Sequence, residues 1–292
     1  MSHEIPGIPG YRASRSIMDH KYQGVRSLGS KRSSLDGKAS HSPSDNGIIK
    51  IGQDGIEVAI IQDFDDAILE EIGRWSQSAS LGAPEKVRIS DDPTEYLRGG
   101  LAFQSLEDIR IAFGVRGISR VLTHQLVRTR AAAFKQQSQR DCWMGNQPEF
   151  RIPESVWNAP EEVRMQWVVA ARMSHVAYNT AIDADVPYED ARYILPEGTT
   201  NFIMCEYSLR TFMETYAYRG CVMFQDEYVW VIRAMRKLLI DRHPYLEPHI
   251  LISCEKGHKC TYQGRERVEE TCNFSWAKED NRVFKPARYL GE

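Results

Sequence analysis

The chain has 292 residues, 42% of them hydrophobic and 26% charged, and its 37 basic and 40 acidic side chains leave a net charge of -3. A chain of this length buries a core without disulfides or structural metal, and the acidic balance argues against the broad basic surface of a nucleic-acid-binding protein. No run of about 18 apolar residues announces a transmembrane helix, no apolar stretch at the N-terminus reads as a secretory signal, and the cysteines Cys142, Cys205, Cys221, Cys254, Cys260 and Cys272 read as reduced thiols in a cytoplasm.

Residues 1–48 are dominated by Ser, Gly, Pro and basic side chains with no sustained apolar period. They read as a disordered or loosely packed extension, and residues 49–292 as one folded domain. Within it, 56–61 is expected to be a strand. A helix over 63–75 follows, its early acidic residues matching the helix dipole. Residues 109–115 alternate as a second strand, Gly117 is expected to break it, and Ser119 to cap a helix over 120–132. Residues 135–140 read as a polar loop. Pro160 opens a long helix to about residue 181, and two more are expected over 205–219 and 225–241. Strands mixed with long helices, without regular alternation, favour a mixed α/β or α+β domain.

The densest polar segment is Thr123-His124-Gln125-Leu126-Val127-Arg128-Thr129-Arg130, followed by 135–140. On a helix Gln125 and Arg128 share a face, while Arg130 points about 200° away from Arg128. The donors of the following loop, with the Ser138 hydroxyl and the Arg140 guanidinium, suit a phosphate. A surface helix whose arginines pair with carboxylates explains the same pattern. Arg192 precedes a short apolar run. Arg219 ends a helix that carries Ser208, Phe212 and Thr215 on one face; its plainer role is to satisfy carbonyls at the helix C-terminus. Arg210 and Glu214, four apart, make an ordinary exposed pair.

The stretch Arg128-Thr129-Arg130-Ala131-Ala132-Ala133-Phe134-Lys135-Gln136-Gln137-Ser138-Gln139-Arg140 resembles the signature of the flavin-dependent thymidylate synthases, the ThyX family: Arg-His-Arg, seven residues, Ser, and an Arg two further on. Leu106-Glu107-Asp108, residues 115–120, 191–196 and 208–219 match that family at the same mutual spacing, so the resemblance covers roughly residues 56–272. It implies a mixed α/β fold, a central sheet flanked by helices, and a homotetramer with active sites between subunits. It implies FAD, a uridylate substrate, methylenetetrahydrofolate as carbon donor and NADPH as reductant, with no nucleic-acid or membrane partner.

Carried over position by position, Gln125, Leu126, Val127, Arg128, Gln136, Gln137, Ser138, Gln139 and Arg140 hold the nucleotide, and Arg192 contacts it from a neighbouring subunit. Arg219 faces the uracil ring as the catalytic cation. Arg128, Thr129, Arg130, Gln136, Ser208, Leu209, Arg210 and Glu214 stand where the family touches FAD. A cation at the carbonyl edge of uracil stabilises charge that develops as C5 attacks an electrophilic carbon. An arginine does this without proton exchange of its own. No base is assigned to Ser138, which reads as a phosphate or sugar contact rather than a nucleophile.

The departures cluster on the flavin side. Thr129 replaces the signature's His, Asp108 replaces a His, and Ser208 and Glu214 replace Asn. They suggest a divergent member, similar to the family's UMP methylase of polyoxin biosynthesis, with a slight lean to UMP and dUMP also accepted. They also motivate an alternative, a nucleotide-binding pseudo-enzyme or sensor of the same fold. Cys254, His258, Cys260 and Cys272 lack paired Cys-x-x-Cys spacing, so no metal site is expected.

Overall fold

The computed structural model describes residues 48–51, 56–81, 104–145, 150–257, 260 and 272. The chain divides into two units, Met1–Ser42 and Pro43–Glu292, and every described residue belongs to the second. The extension expected over 1–48 lies outside the described residues except for Ile48.

Strands β1 (Ile48–Ile51), β2 (Ile56–Gln62), β3 (Arg110–Ser119), β4 (Ala133–Gln136) and β5 (Thr200–Ser208) form one sheet in the order β1-β2-β3-β5-β4. Every neighbouring pair is antiparallel. The architecture is therefore mixed helix and sheet, an antiparallel sheet flanked by helices. β3 lies at its centre, with Ile111, Ala112, Phe113, Val115 and Ile118 buried. Consecutive burial of Ile111, Ala112 and Phe113 shows that both of its faces are covered there.

Helix α1 (Asp66–Leu81) follows β2, α2 (Arg120–Leu126) follows β3, and α3 (Glu154–Trp157), α4 (Glu161–Asp183) and α5 (Tyr188–Ala191) precede β5. Helix α6 (Leu209–Arg219) continues from β5, and α7 (Asp226–Arg242) packs on β1, β2 and β3. Asp226 and Glu227 in the first turn of α7 and Arg242 in its last match the helix dipole. Its Tyr228, Val231, Ile232, Met235, Leu238 and Leu239 join the sheet residues in one core. Helix α4 differs: only His175 and Tyr178 of its 23 residues are buried, while Val163, Met165, Trp167, Met173 and Val176 are exposed in the single chain.

Four expectations are corrected. Gly117 does not end β3; it sits at a bulge where the register steps from Arg116↔Phe202 to Ile118↔Asn201. Its φ of 73° is in the left-handed region that a glycine enters without steric cost. Helix α2 stops at Leu126 rather than near 132, because the amides of Arg128 and Thr129 turn back to the carbonyls of Gln125 and Leu126. Arg128 therefore lies beyond the helix, so it and Gln125 do not share a helical face. The supposed loop 135–140 begins as β4, whose Lys135 and Gln136 pair with Met204 and Ile203. Residues 205–208 are strand rather than helix; Ile203, Cys205 and Tyr207 alternate inward with period two.

Candidate active site

Two serines position the site by ending strands and starting helices. Ser119 caps α2, its Oγ accepting the amide of Leu122. The buried carboxylate of Glu227 accepts both the Ser119 amide, at 2.8 Å, and the Ser119 hydroxyl. The first turn of α2 is thus tied to α7. Gln125, at the far end of α2, donates to Gln225, the residue before α7. Ser208 caps α6 in the same way, its Oγ accepting the amide of Thr211 at 3.1 Å.

Arg219, at the C-terminal end of α6, stands over three aromatic faces. Its guanidinium carbon is 4.8 Å from the Phe224 ring centre, 5.2 Å from Tyr228 and 5.4 Å from Tyr218. Such contacts contribute about 0.5–1 kcal/mol each when exposed. No carboxylate among the described residues pairs with Arg219. Nor does it serve the end of its own helix: the carbonyl of Gly220 is taken by the buried Arg233, at 3.0 Å from Nε and 2.6 Å from Nη2. Burial pushes the Tyr228 phenol up, while the adjacent Thr129 hydroxyl and the Arg219 charge pull it down. Thr129, Tyr228, Phe224 and Arg219 are therefore contiguous, with Gln125 beside them through Gln225.

A second group forms where α6 begins. Ser208 Oγ donates to Glu107 Oε2 at 3.0 Å. Arg210 places Nη1 3.3 Å from Glu107 Oε1 and Nε 3.0 Å from Glu214 Oε1. Hydrogen bonding to Glu214 is the main influence holding the Arg210 guanidinium above its ordinary value. Leu209 is fully buried, its amide bonded to the Ile109 carbonyl at 2.8 Å.

The third group follows β4. Gln136 donates to Thr123 Oγ1 at 2.9 Å and Asn201 Oδ1 at 3.3 Å. Gln137 donates its amide to Phe202. Ser138 donates to Asp141 at 2.6 Å and accepts the amides of Arg140 and Asp141. Arg140 Nε lies 2.8 Å from Glu189 Oε2, and Arg192 Nε donates to the Glu189 carbonyl at 3.1 Å. Gln139 and Arg192 line one cavity of about 330 Å³ with Arg120, His124, Tyr193 and Glu197. His124 Nδ1 is 3.5 Å from Glu197 Oε2.

The chain thus gathers Gln125, Thr129 and Arg219 in one place, Gln139, Arg140 and Arg192 in a second, and Ser208, Arg210 and Glu214 in a third. Arg128 and Arg130 are exposed, with no ion pair among the described residues. Leu126 is fully buried in the core, and Val127 is 40% exposed. Sequence reasoning missed Arg120 and His124 in the cavity, although their i,i+4 spacing on α2 puts them on one face. It also missed Arg233, which no local pattern links to Gly220. A second cavity of about 340 Å³, lined by Trp167 and Trp230 and sharing Glu197 with the first, holds none of the expected residues; Gln125 bonds to Gln225 at its edge.

The donor set suits an anionic flavin nucleotide. Arg128, Arg130 and Arg210 supply planar cations, and Arg210 already offsets part of the charge of Glu107 and Glu214. Among the described residues no three His, Cys, Asp or Glu side chains are arranged to hold an ion. His258 lies outside the described residues. Also among the described residues, no helix is long and apolar enough to cross a membrane.

A family model described as thymidylate synthase complementing protein matches residues 65–245. The flavin-dependent thymidylate synthase of Geobacter sulfurreducens is 35% identical over 162 residues, 54% of this chain and 68% of that protein. That of Pyrococcus furiosus is 35% identical over 174 residues, 57% of this chain and 67% of the relative. That of Sulfolobus acidocaldarius is 29% identical over 171 residues, covering 57% and 63%. The matched span and these identities place this chain in the flavin-dependent thymidylate synthase family, whose members are methyltransferase-type enzymes.

Proposed function

We propose that this protein methylates uridylate at C5, taking UMP with dUMP also accepted, with FAD as cofactor and methylenetetrahydrofolate and NADPH as co-substrates. The observation that carries the reading is Arg219. It is a cation supported by aromatic faces, without a carboxylate among the described residues, at a helix end whose carbonyl another arginine already serves. Placed at the uracil carbonyl edge, it stabilises negative charge there and makes C5 nucleophilic. The Phe224 and Tyr228 rings hold the guanidinium there.

Ser138, Gln139, Arg140 and Arg192 bind the phosphate and sugar, and Gln125, Arg128, Gln136 and Gln137 orient the nucleotide. Arg128, Thr129, Arg130, Gln136, Ser208, Leu209, Arg210 and Glu214 hold FAD. When bound, reduced flavin supplies the hydride; the protein supplies position and field. The sites lie between subunits of a homotetramer, with Arg192 reaching the nucleotide from the neighbouring chain. The exposed apolar residues of α4 support such self-association. The protein works in the cytoplasm, without nucleic-acid or membrane partners.

The test is direct. Purified protein is expected to take up FAD, absorb in the visible flavin band, and form C5-methylated product from UMP and dUMP with the folate donor and NADPH. Failure to bind FAD and to turn over either nucleotide overturns the proposal. Nucleotide binding with neither flavin uptake nor turnover would favour the sensor reading, which the carboxylate of Glu214 beside Arg210 motivates.

A further inference from the structure

We infer that Arg233 is a positioning residue for the reaction: by holding the Gly220 carbonyl it fixes the turn between α6 and α7, and with it the Phe224 ring that stations the Arg219 guanidinium. The inference rests on the reading of Arg219 as the catalytic cation, and it adds a residue that acts through others.

An arginine in the last turn of a helix ordinarily serves the orphan carbonyls there. In α6 other groups do that work. The Ala217 carbonyl accepts both the amide and the hydroxyl of Ser253, each at 2.9 Å. The Tyr216 carbonyl accepts the Gly220 amide at 2.9 Å, and the Gly220 carbonyl accepts Nε–H and Nη2–H of Arg233. Arg219 is thereby released. Among the described residues its guanidinium has neither a hydrogen bond nor a carboxylate, and it lies over rings instead.

Arg233 is 6% exposed. A guanidinium is brought into a core at high cost unless its donors are used, and two of its N–H groups go to this one carbonyl. That carbonyl belongs to the residue after Arg219. Three residues on from it, the Phe224 amide closes on the Cys221 carbonyl at 3.1 Å. A β-carbon at Gly220 would lie 2.9 Å from Ile252 Cγ2 and 2.9 Å from the Tyr216 carbonyl, so the turn is closely packed as well as hydrogen-bonded. Phe224 then stands nearest of the three rings to Arg219, at 4.8 Å, and packs on Tyr218 with centres 4.7 Å apart. The third ring, Tyr228, is carried by the same helix as Arg233. An unrestrained arginine carries much rotamer freedom; these rings and the fixed turn remove it in advance, and a charge fixed in advance is what stabilises a transition state.

The experiment measures steady-state turnover of UMP and dUMP, nucleotide and FAD affinity by calorimetry, and thermal unfolding. The proteins are the full chain and its variants Arg233→Met, Phe224→Leu, Phe224→Tyr, Arg219→Ala and Arg219→Ala/Arg233→Met. Arg233→Met is expected to lower kcat about tenfold, short of the ~10²-fold that misplacement by a full ångström can cost, and to leave nucleotide and FAD affinity in place. Phe224→Leu is expected to lower kcat about two- to fivefold, the fold-change of one lost cation–π contact, and Phe224→Tyr to recover most of that loss. In the Arg219→Ala background Arg233→Met is expected to lower kcat no further, since the group it positions is gone. Unchanged kcat in Arg233→Met, an equal loss of nucleotide or FAD affinity, or the same loss repeated on top of Arg219→Ala overturns the inference. Should Arg233→Met not fold, the Phe224 pair decides: unchanged kcat in Phe224→Leu, or Phe224→Tyr as slow as Phe224→Leu, overturns it. Arg219→Ala turning over at the wild-type rate, or a wild-type chain that turns over neither nucleotide, overturns the reading beneath and the inference with it. A slow Arg219→Ala beside a full-rate Arg233→Met overturns the inference alone.

Discussion

His243, just past α7, joins the far end of that helix to the start of α1. Its Nδ1 is 2.8 Å from Asp66 Oδ1 and its Nε2 is 3.0 Å from Asp63 Oδ1, and its ring stacks on Phe64 with centres 4.2 Å apart and planes 7° from parallel. Both ring nitrogens facing carboxylates calls for the doubly protonated ring. Burial pushes the imidazole down, but the hydrogen bonds and charges of Asp63 and then Asp66 outweigh it, so the folded value is raised. Burial pushes Asp63 up, and His243 and Arg242 pull it further down, so its folded value is lowered.

A charged hydrogen bond contributes about 1.5–3 kcal/mol. The Asp63 side chain is 20% exposed and keeps most of that; Asp66, 53% exposed, is screened to well under ~1 kcal/mol. His243→Leu is therefore expected to cost about 2–3 kcal/mol at pH 6, read by urea unfolding. The histidine contribution is fully present below the unfolded value of about 6.5 and disappears as pH rises through the higher folded value. The aspartate contribution is present above about 3.9 and disappears as pH falls through the lower folded value. The gap between wild type and variant is thus widest from about pH 4 to 6.5. An equal gap at pH 5.5 and pH 9 would refute a charged His243.

Arg219→Ala is expected to lower kcat about 10²- to 10³-fold, the scale of losing one transition-state donor, with product formation from UMP and dUMP as the assay; full turnover in that variant would remove the catalytic cation from the mechanism. Ser208→Ala removes the cap of α6 and should cost about 1 kcal/mol in chemical unfolding; it should also loosen FAD, because Glu107 loses its hydroxyl partner. Glu214→Gln removes one carboxylate from Arg210, so FAD affinity, followed by flavin fluorescence, is expected to rise a few-fold and most at low salt.

Much of the frame was legible because local chemistry and tertiary role agree. Ser119 caps a helix as its side chain predicts, and the acidic opening of α4 matches its position. Misreadings arose where partners are distant. Lys135 and Gln136 carry polar side chains that suit a loop, and only the free edge of β5 makes them a strand. The period-two pattern of Ile203, Cys205 and Tyr207 was present, but the helical continuation from residue 209 concealed it. In the site, the loop residues and arginines were found through the signature. Arg120 and Gln139 acquire their common cavity only when α2, the loop after β4 and the turn after α5 meet.

The bulge at Gly117 reaches beyond the sheet. By taking one residue out of step, it brings Ile118 and Ser119 inward in succession, both buried, so the hydroxyl arrives where Glu227 and the Leu122 amide await it. A one-residue deletion here would reverse the phase of the strand's end and swing the compass bearing of α2, carrying Arg120 and His124 away from one neighbour and Gln125 from another. The smallest side chain in the segment thereby sets the azimuth of three of the largest.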